Sequence, residues 1–270
     1  AEGNSRASKP PMSLTKFMLV HLALKKIEAG ELDPNTLIEF GPATARVAPD
    51  HCGFRPGQKI PLIDMMALAV RNSCNQSAEQ LGITLFGSSE AAVLALNEEA
   101  DAMGLDDTDF VTPSGLNDGR DYGETTAFDM TKMAMQIDRR WNGNYFYNQL
   151  IDRGGYFLRD ETWALFRARN FRPEASEVID DGARLKLNAT ATSVMPSFGT
   201  PLKTGTWGQS PDRHKNLLFK FTLFDKTMIG CVLDCRPTSL GTEVANLVRM
   251  AQDRFPLRDF FETIVRPRLG

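Results

Sequence analysis

The sequence predicts an α+β protein, in which an antiparallel sheet is flanked by helices and follows a helical subdomain. Helix-spaced apolar residues dominate the first half of the 270-residue chain, and strand-like runs appear only towards its end. With 42% hydrophobic residues, the chain is also long enough to bury a sizeable core. We expect one domain over residues 1–270, with its helical part spanning about residues 30–200.

The helices are predicted from apolar spacing and from start and stop signals. A mostly buried helix runs from Ser13 to about residue 29 and ends at Gly30. Residues 35–60 contain several Gly and Pro residues with little periodicity, which predicts an extended surface segment. Further helices are predicted over residues 62–70, from the position after residue 75, from residue 88 to residue 104, and over residues 126–137.

The strands are predicted in the last third of the chain. Residues 138–200 show no clear period, but residues 203–208, 216–224 and 227–234 alternate as strands do. The last two runs meet at Asp225-Lys226, which predicts a hairpin. A helix around residues 244–251 follows, so we expect it to pack on the antiparallel sheet.

Charge and composition exclude several functional classes. The formal net charge is −3 and the basic residues are scattered, so no nucleic-acid partner is expected. The longest apolar run, residues 17–24, is much shorter than the roughly 20 residues that cross a bilayer. The four cysteines form no CxxC pair and no His-rich spacing accompanies them, so no metal site is predicted.

Ser13 and Lys16 lie three residues apart at the start of the first helix, where they share a face. A serine hydroxyl becomes a nucleophile when a base removes its proton, and a lysine can do this if burial and neighbouring positive charge lower its pKa. The helix start also places the Ser13 N–H where an oxyanion could develop. Alone the pair is weak, because a capping serine beside a surface lysine would look the same.

Two further segments strengthen the hypothesis of a serine acyl-transfer site. SCN at residues 73–75 lies between two predicted helices, and KTG at residues 203–205 begins a predicted strand. Each has a simple structural explanation, as a helix cap or a solvated edge strand. Together with Ser13 and Lys16, in this order, they match the three motifs of such sites. Ser73 would then relay a proton, and Asn75 would bind a substrate amide.

The predicted strand around Lys203 offers groups that could bind substrate. Lys203 would place a positive charge across the cleft from Lys16. Lys203, Thr204 and Thr206 could together hold a substrate carboxylate, and the Thr206 N–H is the candidate second oxyanion donor. Gly205 would let a substrate backbone approach the strand closely.

The sequence resembles the serine-type D-alanyl-D-alanine carboxypeptidases, the low-molecular-mass penicillin-binding proteins. The resemblance implies a penicillin-recognising fold of the β-lactamase/transpeptidase type. It covers most of the chain and rests on PMSLTKFM, GFRPGQKIPLIDMMALAVRNSCNQSAEQL, LNEEADAMGLDDTDFVTPSGLND, TTAFDMTKMA, LKTGTW and DFFET.

The resemblance also implies an activity: removal of the terminal D-alanine from peptidoglycan stem peptides through an acyl-enzyme, with β-lactams as covalent inhibitors. Ser13 would be the nucleophile and Lys16 its general base. No metal and no organic cofactor is implied, and the expected location is periplasmic or otherwise extracytoplasmic. The remaining motif residues would be Ser73, Asn75, Lys203, Thr204 and Gly205.

Other activities on the same scaffold stay open. A D,D-endopeptidase uses the same residues on a cross-linked stem peptide. A class A β-lactamase needs a Glu-x-x-Leu-Asn element, whereas Val93 stands at the glutamate position before Leu96-Asn97. A non-catalytic penicillin-binding homologue would have no need of the proton-transfer residues. A Ser-His-Asp hydrolase is poorly supported, because the three histidines lie inside a helix or in unpatterned loops.

The sequence also departs from the family pattern. Only 12 residues precede Ser13, so we expect the natural gene to encode a signal peptide and a strand pair before it. Residues 170–200 do not resemble the usual approach to the third motif, so they give no substrate preference. Cys74, at the variable position of the second motif, is expected to be an inert small residue. No C-terminal β-rich domain or membrane anchor is evident, and the apolar residues within 260–265 are expected to pack against the domain.

Overall fold

A computed structural model describes most of the chain as helices and strands. It covers residues 4–48, 52–117, 119, 121–151, 155–168, 184–185, 195, 199–207, 213–223 and 225–254. The helices are α1 (Thr15–Glu28), α2 (Leu62–Arg71), α3 (Asn75–Phe86), α4 (Ser89–Ala102), α5 (Ala127–Trp141), α6 (Tyr145–Ile151), α7 (Asp160–Ala168) and α8 (Leu240–Arg254). The strands are β1 (Leu37–Glu39), β2 (Lys59–Pro61), β3 (Tyr156–Phe157), β4 (Arg184–Leu185), β5 (Gly199–Trp207), β6 (His214–Leu223) and β7 (Lys226–Cys235).

The largest sheet is antiparallel, in the order β5-β6-β7. Thr204 on β5 lies opposite Leu217 on β6, and Leu218 lies opposite Cys231 on β7. Helix α8 packs on one face through Val244 and Val248, which form a cluster with buried residues of β6. The predicted combination of helices with an antiparallel sheet is confirmed.

Helix α1 lies at the centre of the helical part. Its residues from Thr15 to Leu24 are all buried, and it contacts α2, α3, α4 and α5. A helix surrounded on all sides needs apolar residues around its circumference, which explains why they extend beyond a single stripe. A short 3-10 turn, Met12–Leu14, precedes α1, so the predicted helix start at Ser13 falls in this turn.

The prediction of an extended surface segment over residues 35–60 fits the mostly exposed or half-buried residues described there, but it missed a strand pair and several buried side chains. Strands β1 and β2 pair antiparallel there, with Ile38 opposite Ile60. Phe40 and Phe54 are buried and stack with ring centroids 4.1 Å apart. Isolated apolar residues between Gly and Pro turns show no periodicity from which their burial could be predicted. Their burial depends instead on contacts with the helices that follow.

The segment after α5 contains elements that the sequence did not reveal. Helix α5 continues to Trp141, four residues past its predicted end, and α6, α7 and the β3–β4 pair follow. The buried Asp138 accepts hydrogen bonds from Tyr147 Oη at 2.8 Å and from Lys220 Nζ at 2.9 Å. Because these partners come from α6 and β6, tertiary contacts stabilise a helix end that lacks a sequence signal.

Two expectations concern residues outside the described ranges. The apolar residues within 260–265 and most of residues 170–200 lie there. Among the residues that are described, no helix is both long enough and apolar enough to cross a bilayer.

A buried polar chain joins α1, α4 and α5. Trp141 Nε1 donates to His21 Nδ1 at 2.7 Å, and His21 Nε2 donates to Glu99 Oε1 at 2.9 Å. Lys25 Nζ donates to the second oxygen of Glu99 at 2.5 Å. Because Nδ1 accepts a hydrogen bond from the indole N–H, it carries no proton, and His21 is a neutral imidazole here. Burial lowers the pKa of His21, and the His21 hydrogen bond, supported by Lys25, lowers the pKa of Glu99 to about 2.

We expect this chain of contacts to make the protein acid-sensitive. The pKa of His21 is lower in the folded state than the value of about 6.5 expected in the unfolded state. As the pH falls below about 6.5, the unfolded state therefore binds a proton that the folded state does not, and the free energy of unfolding decreases. The Glu99 contribution is lost later, as the pH falls from about 4.5 towards its folded pKa of about 2. Urea unfolding midpoints measured between pH 7.5 and 5 should show the first loss. His21→Gln should flatten that dependence, and an identical slope in His21→Gln would refute the assignment.

Candidate active site

The residue expected to be the nucleophile, Ser13, lies half-buried in the 3-10 turn before α1. The preceding Met12 is in the left-handed region, with φ 52°, although it is not a glycine. Thr15 Oγ1 donates to the Met12 carbonyl at 2.8 Å. Strained backbone of this kind persists only where its surroundings hold it, and it is often found at functional sites. The Met12 conformation therefore sets the direction from which the chain enters Ser13.

The sheet holds this turn from the other side. The Asn216 side chain on β6 is buried, donates to the Pro10 carbonyl at 2.9 Å and accepts from Asp234 N at 2.8 Å. A Cβ on Gly205 would lie 3.1 Å from Met12 Cβ and 3.4 Å from Ser13 N. The close approach at Gly205 is therefore to the chain itself, whereas the sequence suggested a substrate backbone.

Lys16 lies behind Ser13, and none of its surface is exposed. Its Nζ donates to Ser13 Oγ at 2.7 Å, to Asn75 Oδ1 at 2.8 Å and to the Ser114 carbonyl at 2.7 Å. The predicted proximity of Ser13 and Lys16 is thus present, one helical turn apart. The amine is directed at the hydroxyl by two further acceptors from distant parts of the chain.

Ser114 is a site residue that sequence reasoning missed. Its carbonyl contacts Lys16, and its backbone N–H donates to Glu79 Oε1 at 3.1 Å. Gly115 follows with φ +72°, and a Cβ there would lie 1.9 Å from the Met12 carbonyl oxygen. The only sequence signal was the Pro-Ser-Gly turn within the family resemblance, because a backbone carbonyl carries no residue-type signature.

The second motif forms the loop between α2 and α3. Ser73 is half-buried with φ 60°, and Asn75 is buried as the first residue of α3. Cys74 caps α3, because its sulfur accepts from Ser77 N at 3.4 Å. Cys74 is also disulfide-bonded to Cys52. The expectation that Cys74 is an inert small residue was therefore wrong. Its place in the motif indicates neither the hydrogen bond from Ser77 N nor the disulfide to Cys52.

The third motif brings a second buried lysine to the same place. Lys203 on β5 is 2% exposed, and its Nζ donates to Ser73 Oγ at 2.9 Å and to the Thr204 carbonyl at 2.7 Å. Thr204 and Thr206 are half-buried on the same strand, and Thr206 Oγ1 accepts from Lys215 Nζ at 2.8 Å. Within the described residues, β5 pairs with β6 alone, so its other edge has no partner strand there.

These distances define what the arrangement can do chemically. A half-buried hydroxyl, Ser13, contacts a buried amine, which is the pairing that nucleophilic catalysis requires. A second hydroxyl, Ser73, contacts the second buried amine, Lys203. Asn75 contacts Lys16 and Ser73 contacts Lys203, and only Cys74 separates Asn75 from Ser73 in the chain. The second motif therefore brings the two hydroxyl–amine pairs together. Among the described residues, no group of three or more His, Cys, Asp or Glu side chains could hold a metal ion.

An apolar groove of about 560 Å³ lies elsewhere, between α5, β7 and α8. Phe128 and Met135 line it from α5, and Met228 lines it from β7. It includes none of the residues that the motifs identify. The motif residues lie between β5 and the helical part, so the groove is a separate feature of the surface.

Comparisons with known proteins identify the family of the chain. Residues 1–150 match a family model described as D-alanyl-D-alanine carboxypeptidase. The D-alanyl-D-alanine carboxypeptidase DacF of Bacillus subtilis is 25% identical over 134 residues, covering 50% of this chain and 34% of its own length. A D-alanyl-D-alanine endopeptidase of Pseudomonas aeruginosa is 31% identical over 127 residues, covering 47% and 39%. The chain thus spans little more than a third of the length of these relatives.

Solved structures extend the similarity to nearly the whole chain. The D-alanyl-D-alanine carboxypeptidase DacD from Francisella tularensis has a TM-score of 0.71 at 19% identity, covering 93% of this chain and 66% of its own. Penicillin-Binding Protein D2 from Listeria monocytogenes, in its ampicillin-bound form, has a TM-score of 0.68 at 19% identity, covering 93% and 89%. At this level of identity, the similarity establishes the fold.

Proposed function

The chain belongs to the D-alanyl-D-alanine carboxypeptidase family, and we propose that it is a serine D,D-carboxypeptidase acting on peptidoglycan stem peptides through an acyl-enzyme. One observation carries the proposal: the buried Lys16 amine lies 2.7 Å from the half-buried Ser13 hydroxyl. β-Lactams would acylate the same serine as covalent inhibitors. No nucleic acid, metal or organic cofactor takes part in this reaction.

Acylation begins from the neutral form of Lys16, whose two N–H groups stay on Asn75 and the Ser114 carbonyl while its lone pair faces Ser13 Oγ and takes the Ser13 proton. Ser13 Oγ then attacks the carbonyl carbon of the penultimate D-alanine, and the C–N bond to the terminal D-alanine breaks. The departing amine takes up the proton that Lys16 removed from Ser13, with the Ser73 hydroxyl, in contact with Lys203, as the candidate relay, so Lys16 is neutral again before deacylation. We assign the oxyanion to the backbone N–H groups of Ser13 and Thr206. In the part of the chain that the structure describes, the outer edge of β5 has no partner strand, which supports the second assignment.

Deacylation uses the same groups in the reverse direction. A water enters the space that the D-alanine leaves, Lys16 takes its proton, and the ester to Ser13 Oγ is hydrolysed. The proton then returns to Ser13 as the serine leaves. Because the hydrogen bonds from Lys16 to Asn75 and the Ser114 carbonyl do not depend on Ser13, the amine stays in place while the serine is acylated.

The substrate carboxylate is assigned to β5. Lys203 supplies positive charge, and the half-buried Thr204 and Thr206 supply hydroxyl groups on the same strand. Asn75 is assigned to the substrate amide as well as to Lys16. A substrate with a free C-terminal carboxylate would therefore bind along β5 with its reactive carbonyl at Ser13.

The β-lactamase alternative receives no support from α4. Asn97, where a class A element would place its water, donates to Asp109 Oδ1 at 3.1 Å and to the Phe110 carbonyl at 2.9 Å. Its amide is therefore used to hold a loop. The endopeptidase stays the second candidate, since one relative, 31% identical over the matched region, is named an endopeptidase.

An extracytoplasmic location is part of the proposal. The Cys52–Cys74 disulfide is typical of proteins that fold in oxidising compartments outside the cytoplasm. Peptidoglycan stem peptides are also reached from that side of the membrane. The periplasm, or its equivalent in a bacterium without an outer membrane, satisfies both conditions.

We expect D-alanine release from diacetyl-Lys-D-Ala-D-Ala to be much faster than decay of the penicilloyl-enzyme. A departing D-alanine opens the site to water, whereas the penicilloyl group keeps its leaving side in place. Val93 stands where a class A β-lactamase carries the glutamate that activates water. Both rates can be measured on one preparation, with the peptide C-terminal amide as a matched control that lacks the carboxylate. Rapid penicillin hydrolysis without D-alanine release would indicate a β-lactamase, and cleavage confined to cross-linked stems an endopeptidase. Labelling without turnover would indicate the non-catalytic homologue.

A further inference from the structure

The disulfide between Cys52 and Cys74 lies immediately beside the proposed catalytic groups. Cys74 stands between Ser73, which accepts from Lys203, and Asn75, which accepts from Lys16. We infer that Cys52 and Cys74 are positioning residues for acylation: their bond holds the second motif in the geometry that orients both lysines. The inference rests on the proposed function.

The local backbone explains why this loop needs to be held. Ser73 has φ 60°, a conformation that non-glycine residues adopt at a cost. Only one peptide link separates Ser73 from the cross-linked Cys74. A covalent bond at Cys74 therefore restrains the strained residue directly, and its loss lets Ser73 Oγ move away from Lys203 Nζ.

The other end of the bond is also fixed. Cys52 is fully buried, and its neighbour Phe54 is held by Gln76 of α3, which accepts from Phe54 N at 2.9 Å and donates to the Phe54 carbonyl at 3.0 Å. Gln76 also donates to the Ala45 carbonyl at 2.9 Å. Residues 52–54 are thus attached to the start of α3 by the Gln76 hydrogen bonds and by the disulfide, so Cys74 is tied to a stretch whose Cys52 and Phe54 are buried.

The remaining cysteines provide matched controls. Cys231 on β7 is buried and Cys235 is half-buried, and both are free thiols. Neither takes part in the contacts around Ser13, Lys16 and Lys203 described above. Replacing both by serine removes the other two thiols without touching the second motif.

The test compares penicillin acylation of Ser13 in variants that break the bond from either end. Cys52→Ser and Cys74→Ser are both suitable, and a serine at position 74 keeps a side-chain acceptor for the Ser77 N–H. We expect each single variant, and the double variant, to lose about ten- to a hundredfold in the acylation rate constant, because small displacements of catalytic groups have costs of this order. The three losses should be equal, since all remove the same bond.

Wild-type protein provides the test without any mutation. Both cysteines are buried, so the protein is unfolded and refolded in dithiothreitol, which supplies the two electrons and two protons that convert the disulfide into two thiols. The reduced wild-type protein should show the same loss in the acylation rate constant as the cysteine variants, and reoxidation should restore that rate constant. The Cys231→Ser/Cys235→Ser protein should keep the wild-type rate and respond to dithiothreitol in the same way. The loss should fall on the acylation step and leave the penicillin Kd unchanged.

A readout independent of activity separates this inference from the proposed function. Hydrogen–deuterium exchange over residues 72–78 should be faster in Cys52→Ser than in the oxidised wild type. If oxidised wild type takes no label at Ser13, the proposed function fails, and the exchange result still decides whether the bond holds the loop. Equal acylation and equal exchange with and without the bond would overturn the inference, as would free thiols at both positions in the oxidised protein.

Discussion

Ser13→Ala should abolish covalent labelling by penicillin and reduce D-alanine release to background. The Ser13 oxygen is the atom that forms the acyl bond, and it lies 2.7 Å from the Lys16 amine that takes its proton. Losses from removing a nucleophilic serine are on the order of 10⁶-fold. Intact-mass spectrometry after incubation with labelled penicillin measures the result directly.

The same change should leave the fold intact. Lys16 keeps its hydrogen bonds to Asn75 and the Ser114 carbonyl, so the amine stays satisfied, and we expect a loss of about 1 kcal/mol in the free energy of unfolding. Ser88→Ala is the matched control, because Ser88 caps α4 through Ala91 N and its loss also costs about 1 kcal/mol. Ser88→Ala should be labelled normally. An adduct on Ser73 or Thr204 in the Ser13→Ala protein would show that the nucleophile is wrongly assigned.

Lys16→Met should lower the acylation rate constant by about a thousandfold, within the range of general-base contributions. Methionine approximates the length of the lysine side chain but can neither accept the Ser13 proton nor donate to Asn75. Circular dichroism should still show a folded protein, because methionine fills most of the lysine volume, although Asn75 Oδ1 and the Ser114 carbonyl each lose a donor. Stopped-flow measurement with a chromogenic cephalosporin gives the rate.

Lys25→Met is the matched control on the same helix. Lys25 is partly exposed and contacts Glu99, away from Ser13. The Lys25→Met protein should be acylated at the wild-type rate, whether or not the pH dependence of its stability changes. Acylation of Lys16→Met within tenfold of wild type would mean that another group takes the Ser13 proton, and Lys203 acting through Ser73 would be the next candidate.

Local signals in the sequence predicted much of this fold. Ser88 and Thr126 cap α4 and α5 in the structure, as their positions before apolar-periodic segments indicated. The three antiparallel strands follow the predicted alternation within a few residues. These features depend on neighbours a few positions away, so the information lies within short stretches of sequence.

The sequence by itself also determined the pairing of Ser13 with Lys16, because helical geometry brings residues three apart together whatever the rest of the chain does. Only the tertiary structure decided what surrounds that pair. The Ser114 carbonyl meets Lys16 across 98 positions of sequence, and Cys52 meets Cys74 across 22. Such contacts depend on the path of loops between elements, and a backbone carbonyl or a single cysteine looks the same in the sequence wherever that path leads. The role of Gly205 was likewise decided by tertiary structure, since its close neighbour Met12 comes from the opposite end of the chain.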